Sequence, residues 1–570
     1  MIGCSSDKSN LYNKYFINGN VDYLGRVFRF SNLKSTEVAN RSFVRYCVER
    51  GLSLPTEYRM VQPNLDASFK SISKYDKAQP SLENSAWIIS GEWTTKHFFP
   101  YMSGSRVLDR NLVLSEMDMT TSCGYPANLQ FHTKREFLGM TDEFKHLSVL
   151  EYMSSATTLP IQVGILNDYW DLIGTDNVDN IVPIWTCSQK VELRLVTKLD
   201  ENKIRTFTAS PIEHSVSTNR LCLDMNNKFY ASANKTWSFV GGTKFLQGWH
   251  SLYCRLHRLP NAFELDESEY DSSLFAAAML GQIDIRWEML ASEHKTPENR
   301  KRLEAIYASI VHSVIVLENG ELIQKHTGNP SGSSNTIVDN TMILFRLFAY
   351  AWIKCCMEIK RAISYLDFMT EVEAALNGDD NTFTVSDAVV GWFNPRSIAK
   401  IWSAIGVTTN TPCWEPQTLD KVTFLSQGFN FDKRLSLWLP VPATARVLGT
   451  LYLGSKVDDV RFHLLRANAL RLDSYGNEYC RKIIADYIVF LYANYQDDFV
   501  GSVSLKKASI PMAEINALWK SDLFIEALYS GHESGVVDSV LEHVQSVGEV
   551  DARDPFPSLQ VVNVKYISLL

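Results

Sequence analysis

The sequence predicts an α/β fold on three observations. Short β-rich runs end in acids or tight turns, helix-period segments follow them, and the chain beyond about residue 441 is mostly helical. Residues 261–266 (NAFELD) read as a strand ending in an acid. Asp271 or Ser272 can then cap a helix running through SSLFAAAMLGQIDIRWEML, whose apolar positions recur at three and four. HTGNPSGSSN (326–335) has six Gly, Ser or Pro residues among ten and reads as a loop, followed by a long helix from about Thr336 to Met357. VEAAL, NGDD and NTFTV (372–385) read as strand, turn and strand, with Asn-Gly as the hairpin signal. A helix over FNPRSIAKIWSAIG and strands over KVTFLSQGF and LSLWLPV complete this region. The final stretch, DARDPFPSLQVVNVKYISLL, breaks at its prolines and is expected to end in a strand.

Composition narrows the class. A chain of 570 residues has room for three or four domains, and 45% hydrophobic with 21% charged residues excludes a disordered or fibrous protein. The net charge of −8 excludes coating nucleic acid by bulk charge, so any such site must be a local basic channel. The ten cysteines contain no C-x-x-C pair, which argues against zinc fingers, redox motifs and a disulfide scaffold, and for a reducing compartment. MIGCSSDKSN lacks the features of a secretory signal. The most apolar stretch, Thr341 to Met357, is interrupted by Arg346 and Lys354 and reads as a buried helix, so no membrane anchor is expected.

Three segments carry chemistry. A Gly-Asp-Asp tripeptide is weak alone, since about one chain in fifteen of this length holds it by chance, and a solvated hairpin turn would explain it. Two acids on a tight turn between apolar strands are also what a divalent cation needs, because Mg²⁺ takes hard oxygen ligands. Asp266, ending its strand, and Asp271, five residues on, add a second acidic site, although a strand-to-helix turn would also use them. Carboxylates converging from neighbouring strands suit two-metal nucleotidyl transfer. In GNPSGSSNTIVDN (328–340) the glycines allow close approach of backbone to substrate, and Thr336 and Asn340 share a helix face; a helix-capping loop with a buried Asn340 is the plainer alternative.

In this order and spacing the segments resemble the palm motifs of positive-strand RNA virus RNA-dependent RNA polymerases. ELDESEYDSS is similar to motif A, SGSSNTIVDN to motif B, NGDD to motif C and TFLSQGF (423–429) to motif E. QKVELRLVTKLDENKIRTFTASP (189–211) resembles the basic motif F, and TTSCGYP (120–126) the template-guiding motif G. KHTGNPSG, TKFLQGWH and LNGDDN look nearest to the potyvirus and astrovirus branch of the picornavirus-like group. The resemblance spans roughly residues 118–430. One feature departs from it: TTNTPCWEP (408–416) has no lysine where motif D would place one.

The resemblance implies an α/β right-hand polymerase whose palm is an antiparallel sheet backed by helices. Fingers would take residues 1–225 and 272–325, palm 226–271 and 326–440, and thumb with tail 441–570. It implies template-directed RNA synthesis from NTPs. Asp266, Asp379 and Asp380 would be catalytic and bind two Mg²⁺ ions, with Mn²⁺ able to substitute. Asp271, Ser331, Gly332, Thr336 and Asn340 would bind the nucleotide, with Asp271, Ser331 and Asn340 reading its ribose 2′ hydroxyl. Lys190, Arg194, Lys198, Lys203 and Arg205 would neutralise its triphosphate. Thr121, Ser122 and Gly124 would contact template, and Lys421 is the candidate general acid. Partners would be template and nascent RNA, NTPs and other viral replication proteins. The expected location is the host cytoplasm, at membrane-associated replication complexes reached through those partners. A reverse transcriptase and a catalytically silent RNA-binding scaffold are the alternatives; polar Asp271 and Asn340 argue against the first, and the intact acids against the second.

Overall fold

The computed structural model describes residues 8–29, 35–144, 146–155, 160–176, 182–454, 457–504, 509–518 and 522–531. The C-terminal strand expected near residue 570 lies outside them.

Two sheets organise the centre. The first has four antiparallel strands in the order Thr409–Asn410, Asn261–Glu267, Asp380–Val385, Val372–Asn377. Its inner face is apolar: Phe263 lies opposite Phe383, with ring centroids 5.3 Å apart, and Phe383 packs on Phe348 of the helix behind. That helix, Thr336–Glu358, is buried without interruption from Val338 to Ile353. A helix apolar on every side belongs in a core, and this one lies between the helices Asn84–Met102 and Pro395–Ser403 and the sheet. Its internal cation is satisfied: the Arg346 guanidinium lies 3.8 Å from the Trp87 ring centroid and donates to the Trp87 carbonyl at 2.8 Å. Among the described residues no helix is long and apolar enough to cross a membrane.

The second sheet has five strands in the order Asp22–Arg26, Glu321–Gln324, Val314–Val316, Ile184–Gln189, Thr206–Ala209, antiparallel except for the pair Val314–Val316 with Ile184–Gln189. It joins the N-terminal region to the segment expected as motif F. The C-terminal region is built from the helices Thr444–Leu453, Val460–Asp473 and Glu478–Tyr495, with a small ribbon of Ser502–Ser504 against Ser509–Pro511.

Four local expectations need correction. Asp271 does not cap a long helix: it lies in a single turn, Tyr270–Ser273, and the helix proper is Ala276–Met289. The carbonyls of Asp271 and Leu274 accept from the backbone N–H groups of Asn329 and Gly328, both at 2.7 Å, so they are taken out of any continuous helical ladder. The hairpin turns on Gly378-Asp379 rather than Asn-Gly, since Asn377 pairs with Asp380 and Gly378 takes the positive φ of 69°. KVTFL is not a strand, because Leu425 and Ser426 both have positive φ and close a tight turn on which Phe424 and Gln427 exchange 2.9 Å hydrogen bonds. The strand begins only at Gln427 and pairs with Leu437–Pro442. Finally, the helix Arg41–Arg50 packs Phe43, Tyr46 and Cys47 into the C-terminal helical core, beside Leu464, Ile484 and Tyr487, rather than among the other N-terminal elements.

Candidate active site

Register brings the acids together. Asn381 pairs with Leu265, so one step further along the ladder Asp380 stands across from Asp266, with Asp379 on the turn between strands. Strand alternation puts Asp266 and Asp380 on one face, and Asn381 and Glu267 on the other. There, Asn381 donates to both Glu267 carboxylate oxygens at 3.1 Å, in a fully enclosed pair beneath the hairpin. Burial, then the neighbouring Asp379, holds the Glu267 carboxyl well above its ordinary range.

The acids above it are crowded. Asp379 is raised by loss of solvation and then by Asp271 and Asp266. Asp380 is pushed up to about 6, chiefly by loss of solvation, despite accepting the Leu425 N–H at 3.1 Å. Like charges gathered at a chain reversal are relieved by a cation, and the donors are all hard oxygens, so the residues fit a divalent ion. Among the described residues no three His, Cys, Asp or Glu side chains are grouped closely enough to hold a metal ion by themselves. The remaining positions of such an ion would fall to water and phosphate oxygens.

The motif B segment clamps this centre from the side. Asn340 Nδ2 donates to Asp271 Oδ1 at 2.7 Å, and the Tyr270 hydroxyl donates to the Asn340 carbonyl at 3.0 Å. One residue on, Thr341 Oγ1 accepts the Gly378 N–H at 2.9 Å and so anchors the acidic turn to the central helix. Gly332 lies so close to the Thr206–Ala209 strand that a Cβ there would come within 2.3 Å of the Thr208 carbonyl oxygen. The Thr336 hydroxyl is spent on its own loop, donating to the Pro330 and Ser333 carbonyls. Ser331, half-buried, sits between these contacts. Sequence reasoning missed Thr341, Glu267, Asn381 and Asn329; only the polar character of Thr341 and Asn381 in apolar surroundings could have pointed to two of them.

The basic segment divides. Arg205 forms a two-point pair with Glu192, at 2.7 and 2.8 Å, which raises its basicity first; Asp379 and Asp271 raise it further, so its charge reaches the acidic centre. Arg194 shares Glu192 at 3.5 Å. Lys203 pairs with Glu201 at 2.6 Å, and Lys198 also acts on Glu201, at the far end of the loop. Lys190 is half-buried, and its N–H donates to the Arg205 carbonyl. In the motif G segment, Gly124 (φ 78°) lies against Ser210 and Pro211, while Thr121 accepts from Lys134 and Ser122 Oγ accepts the Gly124 N–H. This loop is therefore fastened to the end of motif F. Lys421 is exposed, its ammonium 3.5 Å from Asp420.

An antiparallel sheet bearing an acidic hairpin, backed by a buried helix and overhung by a basic loop, has the architecture of a right-hand nucleic-acid polymerase. The Sicinivirus 3Dpol RNA-dependent RNA polymerase shares this fold, with a TM-score of 0.65 at 14% identity, covering 86% of this chain and 96% of that one. A family model described as viral RNA-dependent RNA polymerase matches residues 40–488, and the chain belongs to that family. Relatives include genome polyprotein 1 of Barley mild mosaic virus (strain Na1), 27% identical over 462 residues, or 78% of this chain and 18% of the polyprotein. The genome polyprotein of Soybean mosaic virus (strain N) is 36% identical over 209 residues, 36% of this chain and 6% of the polyprotein. The chain thus matches less than a fifth of the length of these two relatives.

Proposed function

We propose that this chain synthesises RNA on an RNA template from nucleoside triphosphates, as the replicase of a positive-strand RNA virus. The observation that carries the reading is the 2.7 Å hydrogen bond from Asn340 to Asp271, placed beside the Gly378-Asp379 turn. It supplies an N–H donor and a carboxylate acceptor where an incoming sugar would lie, and a 2′ hydroxyl satisfies both roles. Asp266, Asp379 and Asp380 are the ligand set for two Mg²⁺ ions, with Mn²⁺ an adequate substitute; when bound, such ions activate the primer 3′ hydroxyl and neutralise the departing pyrophosphate. Arg205 meets triphosphate charge from the opposite wall, with Lys190 and Arg194 beside it. Lys198 and Lys203 extend the basic rim, and Thr121, Ser122 and Gly124 guide template. Ser331, Gly332 and Thr336 shape the loop under the sugar, and Lys421 is the general-acid candidate. Fingers, palm and thumb take the boundaries expected from sequence, except that residues 41–50 go with the thumb.

Relatives named as genome polyproteins support partners released from the same precursor. We further propose that it works in the host cytoplasm, at membrane-associated complexes reached through those partners. The test is extension of a primed RNA by the purified chain with Mg²⁺ and four NTPs. Extension with NTPs but not dNTPs is expected. Equal use of dNTPs would favour a reverse transcriptase, and RNA binding without extension in either metal would favour a silent scaffold.

A further inference from the structure

The Asp271–Asn340 pair has a third member. The Asn340 Oδ1 accepts from Asn329 Nδ2 at 2.9 Å, so the amide is held at both ends: its N–H edge by Asp271, its carbonyl edge by Asn329. Asn329 is fully buried. Its own backbone is fixed on both sides, the N–H donating to the Asp271 carbonyl at 2.7 Å and the carbonyl accepting the Tyr75 hydroxyl at 3.1 Å. The preceding Gly328 (φ 77°) permits this close seat, since a Cβ there would come within 2.5 Å of the Tyr75 ring and 2.7 Å of the Asp271 carbonyl oxygen. The Asn329 side-chain oxygen has no hydrogen-bond partner in the protein. A buried, unpartnered carbonyl oxygen is costly, and an apolar residue of the same shape would avoid that cost. The amide is therefore kept for its donor edge, and that edge serves Asn340.

Resting on the RNA-synthesis reading above, we propose that Asn329 is a positioning residue for sugar selection, locking the Asn340 amide with its N–H edge toward Asp271 and the nucleotide. A side-chain amide rotates end for end at little steric cost, and the flipped form would present a carbonyl where a donor is needed. Asp271 alone is a weak lock, because its oxygens are shared with the incoming hydroxyl. Asn329 holds the other end and is untouched by substrate.

The test compares kcat/KM for one NTP and its 2′-deoxy analogue on a primed RNA template. The proteins are the wild-type chain, Asn329→Leu, Asn329→Asp, Asn340→Ala and the double variant Asn329→Leu/Asn340→Ala. Losing one buried donor of this kind changes selection by about tenfold. The ribonucleotide preference is expected to fall by that factor in Asn329→Leu and Asn329→Asp, with kcat/KM for the deoxy analogue within about threefold of wild type. In the Asn340→Ala background Asn329→Leu should change the ratio no further, because both act through one amide. Equal losses for both sugars in the near-isosteric Asn329→Asp would assign Asn329 to loop stability and overturn the proposal. An additive double variant, or an unchanged ratio in both single variants, would do the same. A wild-type chain that extends no primer would instead overturn the RNA-synthesis reading.

Discussion

Asp379 carries its charge into a crowd of acids: loss of solvation first, then Asp271 and Asp266, raise its proton affinity. Removing it should abolish nucleotide addition while sparing the fold. Asp379→Ala is expected to retain less than a few per cent of primer extension, to keep its RNA affinity, and to melt at or slightly above the wild-type temperature, because one repelling charge is gone. Activity above that level would remove Asp379 from the ligand set. The basic residues separate on the same grounds. Arg205 acts on Asp379 and Asp271, whereas Lys198 acts on Glu201. Arg205→Ala should raise the NTP KM by roughly tenfold, the scale of a lost charged hydrogen bond. Lys198→Ala should leave KM within about twofold, as an exposed charge does. Steady-state KM values for both variants check the ordering, and a larger effect at Lys198 would reverse the assignment.

At the level of elements, the central helix Thr336–Glu358 is keyed to the helix Ala276–Met289 by a buried ion pair. Arg286 donates to Asp339 Oδ1 at 2.7 and 3.0 Å, Tyr307 donates to Asp339 Oδ2 at 2.7 Å, and Arg286 also donates to Asn226. Both charged side chains are wholly enclosed. Breaking one partner strands the other: Asp339→Asn should cost about 3–5 kcal/mol, while Arg286→Met with Asp339→Leu should recover part of that loss. Denaturant melts of the two variants decide it, and a double variant no more stable than Asp339→Asn would contradict the stranded-charge account. The helix Ile212–Ala231 holds a second lever. Burial pushes the Glu213 carboxyl up to about 7, so the folded state favours its protonated form. That contribution is full below the unfolded carboxyl value and is lost as pH rises through about 7. Glu213→Gln should therefore melt higher than wild type at pH 8 and nearly equal to it at pH 4.5; a gain only at the acidic end would contradict the assignment.

Across the whole molecule, residues 40–60 tie the C-terminal helices to the basic loop. Asn40 caps the helix Arg41–Arg50, donates to the Leu451 carbonyl and to the Tyr487 hydroxyl at 3.0 Å, and receives a hydrogen bond from Ser42. A few residues on, Tyr58–Met60 pairs with Leu193–Leu195, inside the motif F segment. Residues 40–60 thus connect the C-terminal helical core to the strand Leu193–Leu195 of the basic segment. Asn40→Ala removes a cap and three buried hydrogen bonds and should cost about 2–3 kcal/mol. It should also speed proteolysis within residues 41–60 before the rest of the chain is cut. Uniform digestion with an unchanged melt would show that the tie carries no load.

The acids, the Gly-Asp-Asp turn, the central helix and the motif order were legible in the sequence because each is local: a strand ending in Asp266, a two-residue reversal, an unbroken apolar periodicity. The family likeness followed from their spacing. The sequence could not show where the Ala276–Met289 helix begins, because the Asp271 and Leu274 carbonyls are claimed by a loop more than fifty residues away. It read KVTFL as a strand on apolar pattern alone, since the two left-handed residues at 425 and 426 follow from the turn's closure and not from β-propensity. It gave five equivalent cations, and only tertiary packing singled out Arg205 as the one facing the acids. Nor could it reveal that Asn329 grips Asn340, or that Thr341 holds the Gly378 turn, since both are contacts made only once the loop and hairpin are folded against the helix. Periodicity and turn chemistry belong to neighbouring residues, while hydrogen-bond partners and effective charge belong to whatever the chain brings near.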